Sequence, residues 1–96
     1  MTSGTQNDTT MPQLSRFFGI IISMYYDDHS PPHFHARYGE FEAQININNF
    51  TVIEGTLPSR VLGLVIEWAA IHQQELIKNW NAMIDKQELI KIEPLQ

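Results

Sequence analysis

Apolar and polar positions change period along this chain, and each change predicts an element. "RFFGIIISMYY", residues 16–26, is rich in β-branched and aromatic side chains with apolar positions on both faces. That composition predicts one strand covered on both sides and central in a sheet. Ser30-Pro31-Pro32 follows, an extended and stiff connection, because a residue before proline is pushed out of the helical region. From His33 the period becomes two, with Phe34, Ala36 and Tyr38 on one face and His33, His35 and Arg37 on the other. Past Gly39, Phe41, Ala43, Ile45 and Ile47 alternate with Glu42, Gln44 and Asn46, the pattern of a half-buried strand. Asn48-Asn49 reads as a two-residue hairpin turn, and "FTVIEG", residues 50–55, as the returning strand.

At "LPSRVLGLVIEWAAIHQQELIKNW" the period becomes helical. Ser59 is the expected N-cap, with Pro58 as the alternative opening of the first turn. Leu62, Val65, Ile66, Ala69, Leu76 and Trp80 form one broad apolar face, and Gly63 is expected to mark a close approach to the sheet. "ELIKIEPLQ" alternates again and reads as a short last strand stopped by Pro94. The expected class is therefore α+β: an antiparallel sheet of four to five strands with one long helix on one face, in the order ββββ-α-β. No internal repeat is visible.

Length and composition narrow this picture. Ninety-six residues, 43% of them hydrophobic, suit one domain with one modest core. The first ten residues, "MTSGTQNDTT", carry no apolar side chain after Met1 and no basic flank, so they read as a disordered polar tail before a single domain at 11–96. No apolar run approaches the roughly 20 residues that span a bilayer, and without an export signal the expected location is cytoplasmic. Zero cysteines exclude disulfides and thiolate metal sites, so any metal would take nitrogen and oxygen ligands. A net charge of −5 argues against non-specific nucleic-acid binding, while leaving room for a local cationic site that holds one phosphate.

The candidate chemistry lies in "YYDDHSPPHFHARYGE", which holds three of the four histidines. His33-x-His35 puts two imidazoles on one strand face with Arg37 next along. Such a pair could chelate a divalent metal, with Asp27, Asp28 or His29 adding ligands from the preceding loop. It could work as an acid–base pair, with Arg37 holding a phosphate, as metal-free RNA cleavage needs. It could equally be structural, the imidazoles bonding backbone groups around the two prolines. His29, His33 and His35 form the candidate catalytic centre, with Arg37, Asp28, Tyr25 and His72 as binding residues. No cofactor is required by this reading, and a divalent metal on His33 and His35 is the alternative. One tyrosine hydroxyl, of Tyr25 or Tyr26, should emerge near Asp27. Only one of Asp27 and Asp28 can face the site. Trp68 and Trp80 read as core or rim packing.

The motifs "DHSPPHFHARYGE" and "LP-R…EW…H…EL…NW" resemble the small bacterial proteins grouped as domain of unknown function 4160, over residues 11 to about 95. On this chain the family's motif positions fall on Asp28, His29, Pro31, Pro32, His33, Phe34, His35, Tyr38, Gly39, Trp68, His72 and Trp80. The resemblance implies a toxin-like component of a bacterial toxin–antitoxin pair, with a small antitoxin-like protein partner. RNA is the expected substrate class. A non-catalytic interaction module and a metal-binding regulator are the rival readings.

Overall fold

The computed structural model describes residues 12–96, and the expected tail at 1–10 lies outside them. Five antiparallel strands follow one another in sequence order across a single sheet: β1 (Gln13–Phe17), β2 (Ile20–Ser23), β3 (His33–Tyr38), β4 (Phe41–Asn46) and β5 (Val52–Thr56). Two helices complete the α+β domain, α1 (Ser59–Ile71) and α2 (Gln73–Ile84). The alternation read from β3 and β4 holds: Phe34, Ala36, Ala43 and Ile45 are all buried, on the face that receives Trp68 of α1. Trp68 of α1 is fully buried there, its ring 5.4 Å from Phe17 and 5.9 Å from Phe34. Its indole Nε1 donates to the carbonyl of Glu93.

Three expectations about elements are corrected. The stretch 16–26 is not one central strand but the end of β1, a tight turn and β2, with Phe17 opposite Ile20. Phe18 and Gly19 both have positive φ, 50° and 79°, as a two-residue turn matching the sheet twist requires. Phe18 fills a place where Asn or Asp is usual, and its side chain is exposed.

The single long helix is two. His72 sits between them at φ −111° and ψ 24°, although the bonds from its N–H to Trp68 and from Leu76 to its carbonyl keep the helices nearly continuous. Just past the break, the Gln73 side chain donates to the carbonyls of Ile47 and Asn48 and ties the junction to the β4–β5 turn.

The expected last strand is absent. Residues 87–96 are irregular, and one backbone bond, from Ile92 to the Leu14 carbonyl, lays them along the outer edge of β1. Asn79 on α2 takes over the rest of the task. Its side chain accepts from the N–H of Ile90 and donates to the Ile90 carbonyl, so one amide stands in for a neighbouring strand.

Smaller details differ as well. The β4–β5 connection is longer than Asn48-Asn49. Asn46 Oδ1 accepts from the backbone of both those residues, and Phe50 takes the positive φ of 62°. Pro58, not Ser59, is the N-cap, and no side chain caps the helix. Gly63 meets nothing that a Cβ would touch, so it marks no close approach. The glycine that does is Gly55 on β5, where a Cβ would run into the Glu42 carbonyl oxygen.

Candidate functional site

The β3 pleat turns His33 and His35 away from the face that Trp68 of α1 covers, as their alternation with Phe34 and Ala36 requires. Neither imidazole stands open on that face. Each residue is only 5% exposed, with the chain between β2 and β3 lying over His35 and Trp80 of α2 against His33. Tyr25 stacks on His35 with ring centroids 4.1 Å apart and an interplanar angle of 16°. Trp80, from α2, lies 5.3 Å from the ring of His33. The two imidazoles are themselves 5.2 Å apart.

Asp28 is fixed from its own loop. Its N–H donates to the Tyr25 carbonyl and its Oδ2 accepts from the Tyr25 N–H, both at 3.2 Å. The same oxygen lies 3.1 Å from His35 Nε2 and 3.4 Å from His33 Nε2. On the far side of His35, Nδ1 is 3.2 Å from Glu42 Oε2. His35 thus lies between two carboxylates, one from the loop and one from the neighbouring strand. Glu42 also accepts a 3.4 Å bond from the Tyr25 hydroxyl. Burial pushes the Tyr25 phenol above its usual value, and the Glu42 charge adds to the effect, whereas Arg37 opposes it.

His33 Nδ1 lies 2.7 Å from the carbonyl of Pro31. A carbonyl only accepts, so Nδ1 carries a proton, and in the neutral ring Nε2 presents a lone pair. This is the backbone bond the structural reading anticipated, and it accounts for only one of the ring's nitrogens. His33 Nε2 is buried with no hydrogen-bond partner.

Of the residues singled out from sequence, His33, His35, Asp28 and Tyr25 therefore come together. Arg37 borders them, lining with Ile21, Ser23, Tyr25, His35 and Glu42 a recess of about 10 Å³, room for roughly one water. His29 and Asp27 are exposed and form no hydrogen bond or ion pair with the cluster among the described residues. Nor does His72 join it. That ring bonds Glu75 three residues on and packs against Trp68. Tyr26 points its hydroxyl to the Gln87 carbonyl instead.

Two residues were missed as parts of the site. Glu42 shows its role only once its register opposite Arg37 on β3 places it on the histidine face. The helical spacing of Trp80 signals packing alone, and nothing in it says that the ring lies against an imidazole.

Among the described residues no helix is long and apolar enough to cross a membrane. No curated protein and no solved structure matches the chain. A family model does, over residues 19–81, which runs from the β1–β2 turn through both tryptophans. The chain belongs to the family described as domain of unknown function DUF4160.

Proposed function

We propose that this protein acts through the His33–His35–Asp28–Glu42 cluster, as the toxin-like member of a bacterial two-gene pair, with RNA as its substrate class. The carrying observation is the placement of His35, with a carboxylate oxygen within 3.2 Å of each ring nitrogen. Core packing needs no such arrangement. Proton transfer does, because a carboxylate orients an imidazole and stabilises the charge it gains. Arg37 stands two residues along the same strand face, where its guanidinium can hold a phosphate. Phosphodiester cleavage by the neighbouring hydroxyl needs one group to remove the 2′-OH proton and another to protonate the leaving oxygen. His33, whose Nε2 has no hydrogen-bond partner, is the candidate for the first role, and His35, between its two carboxylates, for the second. Tyr25, stacked over it, must lift for a substrate to enter.

Induced expression of the full chain, with growth and total RNA followed over time, tests this reading. Growth arrest with shortened RNA is expected, and both should weaken at least tenfold in Asp28→Asn and Arg37→Ala variants that remain folded. Normal growth with intact RNA overturns it.

A second reading, a non-catalytic interaction module, draws support from the burial of both imidazoles and from β5. Every residue of that outer strand is exposed, and its outward edge pairs with no other strand among the described residues. A folded protein that leaves RNA intact yet forms a stable complex with the product of its neighbouring gene would favour this module.

A further inference from the structure

We infer that Asp28, His33 and His35 form a divalent transition-metal site. The inference concerns the same cluster but does not depend on RNA being the substrate. Its starting point is the orphaned nitrogen. His33 Nε2, its lone pair exposed by the Nδ1–H bond to Pro31, is buried and faces Asp28 Oδ2 at 3.4 Å. With the ring neutral, these are two acceptors facing each other in a buried place, and a cation between them turns their repulsion into coordination.

The spacing fits such a cation. One donor atom from each of the three residues can be chosen so that all lie within 4.8 Å of one another. The two measured edges from Asp28 Oδ2, 3.1 and 3.4 Å, bracket the ~3.3 Å that separates ligand atoms in a tetrahedron with bonds of ~2.0–2.1 Å.

The outer shell is already in place. A histidine that binds metal through Nε2 ordinarily gives its Nδ1–H to a carbonyl or a carboxylate. Both rings do so here: His33 to the Pro31 carbonyl, and His35 towards Glu42 Oε2. Asp28 is held in turn by the Tyr25 N–H. Two imidazoles and one carboxylate, with no thiolate in the chain, select a first-row divalent ion such as Zn²⁺, Ni²⁺ or Fe²⁺ over Ca²⁺ or Mg²⁺. Three protein ligands leave a further position for water or another ligand. Asp28, at 14% side-chain exposure against 6% for the histidines, is the most open member of the set.

The test uses the full chain, stripped with a chelator and titrated calorimetrically with Zn²⁺ and with Ni²⁺. A parallel Co²⁺ titration reports nitrogen and oxygen coordination by its visible bands. One equivalent per chain is expected. Affinity should fall at least tenfold in Asp28→Asn and His35→Gln, and about tenfold in Glu42→Gln, which leaves the three ligands intact. His72→Ala should bind like the parent. Circular dichroism identifies any variant that has lost its fold, and the surface-exposed Glu42→Gln then carries the comparison.

Parent binding no tighter than Asp28→Asn and Glu42→Gln, or binding lost in His72→Ala, overturns the site. The readout contains no RNA. A chain that binds zinc in this pattern but leaves RNA intact upholds the metal site and overturns only the earlier proposal.

Discussion

The chain keeps its histidines in contrasting surroundings, and His33–His35 against His72 is the instructive pair. His72 has a local life. Its bonding partner, Glu75, is three residues away in the first turn of α2, and its packing partner, Trp68, is four residues before it in α1. His33 and His35 are held by a loop carboxylate, a strand carboxylate, a proline carbonyl and the rings of Tyr25 and Trp80. Local partners can be rearranged by one helical turn at little cost. Partners drawn from a loop, a neighbouring strand and a helix stay together only while the whole fold does, so the same side chain is a replaceable ornament in one place and a structural commitment in the other.

The contrast can be broken most forcefully at His35. His35→Ala leaves Asp28 and Glu42 without their shared partner and opens a hole under Tyr25, at an expected loss of about 2–4 kcal/mol by urea unfolding. A loss below that of His72→Ala would erase the distinction. Metal should sharpen it next. Zinc at roughly a hundred times its dissociation constant should stabilise the parent and His72→Ala by about 2.7 kcal/mol, seen as a rise in melting temperature, and Asp28→Asn by no more than about 1.4 kcal/mol.

Tyr25 offers a subtler probe. Its phenol is held above the usual value near 10 by burial and by Glu42, so the folded state keeps its proton longer than the unfolded chain. The resulting stability is fully present below pH 10 and drains away as the pH rises through the folded value. Unfolding free energies measured between pH 9 and 12 should therefore fall more steeply in the parent than in Tyr25→Phe. Smallest of all, Glu75→Gln removes a carboxylate that is half exposed, and the shift in stability should stay within about 0.5 kcal/mol.

Strict alternation made β3 and β4 legible, and with them the shared face of His33, His35 and Arg37. Elsewhere local patterns misled where a side chain took an unusual backbone role. Phe18 adopts the left-handed turn geometry that Asn or Gly advertises, so the β1–β2 hairpin read as one strand. The C-terminal alternation looked like a strand, but Asn79 meets the backbone at Ile90 with a side-chain amide in place of a ladder. The break at His72 carries no proline or glycine to announce it. The site divides in the same way. His-x-His spacing is readable along one strand, whereas Glu42 and Trp80 arrive through register and helix packing, and a sequence stores neither explicitly. His29, conspicuous in sequence, sits exposed on the loop and leaves Asp28 as that loop's contribution.

The irregular C-terminal segment leaves the sheet's two rims unequal. At Leu14 it lies against β1 and takes up one backbone group of that edge, whereas among the described residues β5 pairs with β4 alone. A strand laid against this sheet would therefore find more of its backbone partners at β5 than at β1.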